Sequence, residues 1–324
     1  MGISSEKIFI TMEKTITSVL YPFYLIRHHV FKNEECLILA YHNISPYEAE
    51  QDEMFYYDVS LESFEKQMQF LYDRHINVIT LDDFVVSCIN GENIPERSVV
   101  ITFDDGYKNI YQIAYPILRK FNFPATIFLA TGYIGTKRIL PGLEHHLKKI
   151  GNQNNGMNHW LHLSWEEIRE MSRDGISLGS HTMTHPKMGA LNKKQIEWEI
   201  TESKRLIEKK TGIRVKHFSY PYSFLGGQLG DPRVLETVKT ILKTEGFEAA
   251  CSTEIGTNLK KTDIFALKRV QIFNKDSLFH FKEKVMGAYN WMRFPQQIFR
   301  KIHLLIVKNN KNAPIGYRYI AGES

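Results

Sequence analysis

The stretch Val99-Val100-Ile101-Thr102-Phe103-Asp104-Asp105-Gly106-Tyr107 decides how this 324-residue chain is read. Val99 to Phe103 are β-branched or aromatic, which suits a short strand buried on both faces. The strand runs straight into two carboxylates and a glycine. Gly106 frees the backbone for a tight exit into a helix. Two aspartates side by side at a strand's carboxyl end repel each other unless a proton or a cation lies between them. A metal ion is the simplest remedy. Neighbouring strand side chains point to opposite faces, but at a frayed end both can reach one site. The two residues then take different jobs: Asp105 ligates and Asp104 accepts a proton.

Taken alone, Asp-Asp-Gly is also an ordinary turn. The balance shifts with Ser180-His181-Thr182-Met183-Thr184-His185-Pro186, which follows a second short apolar run from Gly175 to Gly179. Histidines at i and i+4 can face one another across a single turn. With one carboxylate, His181 and His185 make a two-His, one-Asp donor set. Such a set suits a catalytic divalent metal with open positions.

These two motifs resemble the first two signature motifs of the polysaccharide deacetylases, the NodB-homology family of carbohydrate esterases. Tyr220-Pro221-Tyr222 resembles the third, and Tyr41-His42-Asn43 is similar to a Tyr-His pair on an early strand of many members. The resemblance runs from residue 36 to residue 285. It implies a distorted (β/α) barrel of seven parallel strands. It implies metal-dependent removal of N-acetyl groups from an amino sugar, in a polysaccharide or a lipid-linked saccharide. Asp105, His181 and His185 would hold the metal: zinc first, with cobalt, nickel or iron accepted by the same donors. Asp104 would be the general base, and the backbone amide of Tyr222 would meet the oxyanion. Tyr107, Tyr220 and Pro221 would contact the acetylated glycan.

Two departures from the family pattern stand out. Many members place an Arg two residues before the third-motif proline, where it orients the base; here that position is Ser219. Members acting on poly-N-acetylglucosamine also lack this Arg. The late Leu-x-Ile-x-His motif that usually supplies the acid is missing. Arg269, in Leu267-Lys268-Arg269-Val270, matches a Leu-Pro-Arg-like stretch of bacterial relatives. His42, at a strand's carboxyl end, is a candidate acid or orienting group and equally a structural residue; His280 is a poorer candidate. Two other readings stay open: hydrolysis of O-acetyl esters or another non-peptide amide on the same site, and a non-catalytic glycan-binding barrel. An intact Asp104 argues against the last, because binding alone needs no base.

A hydrophobic fraction of 43% supports a substantial core, and a net charge of +5 is too mild to argue for nucleic acid. Cys36, Cys88 and Cys251 are too sparse for a disulfide framework or a zinc ribbon. No secretory signal or membrane-spanning run is evident. The expected location is therefore the cytoplasm or the cytoplasmic face of the membrane.

Three regions follow. Residues 1–34 form an appendage, either a helix packed outside the domain or an interfacial helix on a membrane. Residues 35–285 carry alternating apolar strands and amphipathic helices, the signature of parallel strands with crossover helices. Ser60 reads as a helix N-cap, Ser164 and Glu167 as a capping box, and Asn192 and Gly212 as the ends of a long helix. Pro116 should bend or break its helix. Asp82 and Asp83 read as helix-dipole residues, and Glu197, Glu199, Glu202, Lys204, Arg205 and Lys209 as a solvated face. Residues 131–160 read as a lid or substrate wall, with His145, His146, His159 and the following His162 solvated. Residues 286–324 are a basic extension, either a packed helix or a segment on anionic lipid.

Overall fold

A computed structural model describes residues 14–22, 35–46, 57–141, 143–144, 159–222, 232–292 and 298. Most of the basic C-terminal extension, His145 and His146 lie outside the described residues. Residues 14–22 form helix α1. The chain then alternates through β1 (Cys36–Tyr41), β2 (Asn43–Ser45), β3 (Asp58–Ser60), α2 (Leu61–Asp73), β4 (Asn77–Val78), α3 (Leu81–Asn90) and β5 (Ser98–Phe103). It continues with α4 (Tyr115–Phe121), β6 (Thr126–Leu129), α5 (Trp165–Arg173), β7 (Ser177–Ser180) and α6 (Lys193–Thr211). β8 (His217–Ser219), α7 (Pro232–Thr244), β9 (Ala249–Cys251), β10 (Val270–Gln271) and α8 (Leu278–Val285) complete it.

Seven strands follow the order β10-β1-β5-β6-β7-β8-β9, with every pairing parallel. A bridge from Cys251 to Leu267 brings β9 back to the segment entering β10, so the sheet curls into the expected distorted barrel. β4 wedges in beside the lower half of β5. The expected local signals operate. Ser60 caps α2, Ser164 and Glu167 form the capping box of α5, and α6 runs from an Asn192 cap to Gly212 in the left-handed conformation. The helix break falls one turn before Pro116, in a π-helical turn where the Tyr115 amide donates back to the Ile110 carbonyl.

The barrel interior is filled in layers. At the bottom, Leu81, Phe84 and Val85 of α3 pack against Cys36, Ile38, Val100, Phe128 and Cys251, so α3 plugs the barrel. Gly179 makes room for Phe128: a Cβ there would lie 2.3 Å from the Phe128 ring. Cys36 and Cys251 are buried as small hydrophobes.

Helix α1 packs against the C-terminal part of the barrel. Thr17 is fully buried and accepts a hydrogen bond of 2.9 Å from the Trp291 indole. No helix among the described residues is long and apolar enough to cross a membrane.

Asp83 completes a capping box with Thr80, while Asp82 does more than face a helix dipole. Its Oδ1 lies 2.6 Å from Nε2 of His217, which points inward from β8, and so ties the plug to the barrel wall. The His217 hydrogen bond, helped by Lys216, holds the Asp82 carboxyl below its ordinary value. A carboxylate depressed on folding stabilises the protein above its unfolded pKa and loses that contribution as pH falls through its folded pKa. The variant Asp82→Asn should therefore be less stable than wild type at pH 7, with the gap closing towards pH 3. Urea unfolding at both pH values checks this; a gap independent of pH would contradict it.

Candidate active site

The site sits at the carboxyl ends of β5 and β7. Asp104 follows β5 and donates its amide to the Tyr41 carbonyl at 2.9 Å. Asp105 and Gly106 then take left-handed conformations, with φ of +70° and +78°. For Asp105 this is an uncommon conformation, and it swings the side chain away from that of its neighbour. Asp104 points down into the barrel and Asp105 points across the rim.

His181 and His185 meet Asp105 from the loop after β7. Their Nε2 atoms lie 3.5 and 3.4 Å from Asp105 Oδ1. The histidines face one another across a turn that is a loop and not a helix: Thr182 and His185 adopt φ of +68° and +54°, and the two rings sit 4.8 Å apart. His181 Nδ1 lies 2.8 Å from the Ser219 carbonyl. A carbonyl only accepts, so Nδ1 carries the proton and the Nε2 lone pair faces Asp105. Burial pushes both imidazoles down to about 4, against the opposing pull of Asp104, so both are neutral at pH 7.

Asp105 Oδ1 is buried and has no hydrogen-bond partner. One carboxylate oxygen and two imidazole nitrogens therefore converge within 4.8 Å of one another. A buried carboxylate oxygen without a hydrogen bond, facing two neutral imidazoles, is the kind of donor set that a cation joins. The chemistry of these donors fits a divalent metal.

Asp104 stands apart from that trio. Its two oxygens accept bonds of 2.7 Å each from Nη1 and Nη2 of Arg269, a two-pronged pair. Arg269 is fully buried and also donates to Ser219 Oγ at 2.9 Å and to the Ser252 carbonyl at 2.9 Å. Burial by itself would raise the Asp104 carboxyl. Attraction from Arg269, reinforced by its hydrogen bonds, overrides burial and holds the group well below the usual carboxylate range. The arginine missing at position 219 is thus supplied from the other end of the barrel. Parity along the strand was the available signal: Arg269 reaches the interior just before β10.

The other expected residues divide. His42 follows β1, its Nδ1 is buried without a partner, and its ring lies 4.5 Å from that of Tyr57. His280 is not at the site: its Nδ1 pairs with Ser277 on α8, among Lys14, Asp276 and Lys284. Tyr222 lies at the rim, 40% exposed, with φ of +60° and its ring 4.6 Å from that of His185. Tyr220 and Pro221, expected to contact the glycan, lie below the rim. Both are buried, and the Tyr220 hydroxyl donates to the Phe265 carbonyl at 2.8 Å. Tyr107 is buried too, its ring packed against Trp160 and His162, and it walls the Asp105 side of the site.

Two histidines expected in solvent are not there. His159 Nε2 lies 2.6 Å from buried Asp58, and His162 is buried between Tyr107 and Tyr133. Burial pushes His162 down to about 4. The end of the expected lid therefore docks against the site wall. Glu199, expected on a solvated face, is also buried: it accepts from the amides of Met183 and Thr184 at 2.9 and 2.8 Å.

A family model for polysaccharide deacetylases matches residues 91–247. The Bacillus subtilis strain 168 protein YxkH, which carries the same family name, is 31% identical over 235 residues, spanning 72% of this chain and 70% of YxkH. The chain belongs to the polysaccharide deacetylase family. A poly-β-1,6-N-acetyl-D-glucosamine N-deacetylase of Staphylococcus aureus is 28% identical over 213 residues, which cover 60% of this chain and 67% of that enzyme. Two solved structures share the fold of this polysaccharide deacetylase family member. The deacetylase PplD of Streptococcus pyogenes, in complex with acetate, superposes with a TM-score of 0.60 at 22% identity, covering 78% of this chain and 98% of PplD. IcaB of Ammonifex degensii gives 0.61 at 21% identity, covering 80% and 98%.

Replacing Arg269 with Met strands a buried carboxylate, which costs about 3–5 kcal/mol of stability. Adding Asp104→Asn to Arg269→Met should recover part of that loss, because no uncompensated charge is left. Urea unfolding of the single and double variants checks this. Additive losses would contradict the pairing.

Proposed function

We propose that this chain is a metal-dependent hydrolase that removes N-acetyl groups from an amino sugar in a polysaccharide or lipid-linked saccharide. One observation carries the reading: Asp105 Oδ1 and two imidazole Nε2 atoms converge at the rim, while a second carboxylate, Asp104, stays clear of them. A divalent cation held by Asp105, His181 and His185, zinc in the first instance, supplies a Lewis acid for the amide carbonyl and acidifies a water.

The chain's own groups do the rest. Asp104 takes the proton as the water oxygen attacks the acetyl carbon. Arg269 fixes the direction in which that carboxylate faces. The Tyr222 amide donates to the developing oxyanion. His42 hands a proton to the sugar nitrogen as the carbon–nitrogen bond breaks, and acetate and a free amine leave. Tyr222, exposed beside His185, offers its ring to the glycan in place of the buried Tyr220 and Pro221.

The test is acetate release by the zinc-loaded protein from N-acetylglucosamine oligomers of both linkages and from acetylated xylan. Release from the amino sugars is expected, with Asp104→Asn slower by about 10²–10⁴-fold. Release from xylan alone would make the enzyme an ester hydrolase. Full turnover by Asp104→Asn would remove the assigned base.

A further inference from the structure

Glu199 lies fourteen positions past His185, in the middle of α6, yet its carboxylate reaches back to the histidine loop. It is 5% exposed. Oε2 accepts from the Met183 and Thr184 amides at 2.9 and 2.8 Å, and Oε1 accepts from the Thr184 hydroxyl at 2.5 Å. The loop is gripped from the other side as well. The Thr131 and Gly132 amides donate to the Thr182 and Met183 carbonyls at 3.1 and 2.7 Å, and the Tyr133 hydroxyl donates to the Thr184 carbonyl at 3.2 Å.

The loop needs such restraint. Thr182 is β-branched and sits at φ +68°, and His185 sits at +54°. For the β-branched Thr182 this conformation is an outlier that persists only where the surroundings hold it, whereas His185 is of a type that tolerates it more readily. The two conformations are also what turns His185 back towards His181. Adjacent amides at positions 183 and 184 point the same way because of this turn, and one buried carboxylate accepts from both. Its charge strengthens each bond.

We infer that Glu199 is a positioning residue for the metal site: it holds the strained 182–185 loop so that His185 presents Nε2 to the point that Asp105 and His181 share. This rests on the metal-dependent reading above. Glu199 touches neither the metal position nor substrate, and acts through the loop backbone. An unrestrained loop relaxes to unstrained backbone conformations and His185 leaves the site, so the cost falls on metal affinity before it falls on the fold. Outer partners of metal ligands act in this way in general, with losses of about 10–100-fold on removal.

The experiment is zinc titration of the metal-stripped full chain against a chromogenic chelator. The variants are Glu199→Gln, Thr184→Val, Asp105→Asn and, as a surface control on the same helix, Glu197→Gln. Thermal unfolding of each metal-free protein is measured alongside. Glu199→Gln should bind zinc about 10–100-fold more weakly than wild type. Thr184→Val, which removes one of the three bonds and keeps the charge, should bind about 3–10-fold more weakly. Glu197→Gln should match wild type. If Glu199→Gln does not fold, the Thr184→Val result decides. Wild-type affinity in Glu199→Gln, or in Thr184→Val, with only a lowered unfolding temperature makes the contact merely structural and overturns the inference. The metal reading then stands, provided Asp105→Asn has lost zinc. No zinc binding by wild type overturns that reading and this inference together.

Discussion

Two carboxylates on consecutive residues at one buried strand end cannot share a single environment. The structure separates them with one backbone conformation, the left-handed turn at Asp105. Asp104 is sent down to Arg269, and Asp105 is sent across to two imidazoles. Each charge meets a different partner, and each partner prescribes a different chemistry. The arginine keeps Asp104 ionised and aimed. The imidazoles are neutral, and His181 carries its proton on Nδ1, away from Asp105. Placing the two carboxylates in different surroundings relieves the repulsion between them.

The barrel below is built to make that arrangement rigid. Its lowest layer is apolar and sealed by α3, which keeps water away from the buried Asp104–Arg269 pair. A polar layer follows, in which Arg269 also binds Ser219 Oγ and the Ser252 carbonyl, and so spans three strand ends. A buried ion pair is weak evidence of stability, because desolvation offsets most of the attraction. Its value here is directional: a two-pronged contact fixes the carboxylate plane. The rim loops are held with similar care. The Ser219 carbonyl sets the tautomer of His181, and Glu199 binds the turn that brings His185 round.

Much of this was legible in the residues alone, and the boundary between what was and was not has a physical cause. Local signals were reliable: the Asn192 cap, the Gly212 stop and the β-branched run before Asp104 act over a few residues. The Asp-Asp-Gly and His-x-x-x-His motifs were legible because they pack several rare features into short windows. Arg269 was harder, since its partner lies 165 positions away and only barrel closure joins them. Glu199 was hidden by its neighbours: in a run of charges, periodicity shows a polar face but not the one member that turns inward. The burial of Tyr220 and Pro221 was equally hidden. They lie in a motif beside the site, but a residue near a reacting centre can be buried as wall rather than displayed to substrate. His159 and His162 have partners on other strands and loops, and composition alone made their segment look solvated.

The claim that bears all the others is that Asp105, His181 and His185 bind one divalent cation from which Asp104 is excluded. Anomalous X-ray diffraction at the zinc edge from crystals of the zinc-loaded protein tests it most directly. A single strong peak is expected at about 2.0–2.1 Å from Nε2 of both histidines and about 2.0–2.2 Å from an Asp105 oxygen. Both Asp104 oxygens should remain on Arg269. A peak elsewhere, or zinc taken up by Asp104 with Arg269 displaced, would contradict it.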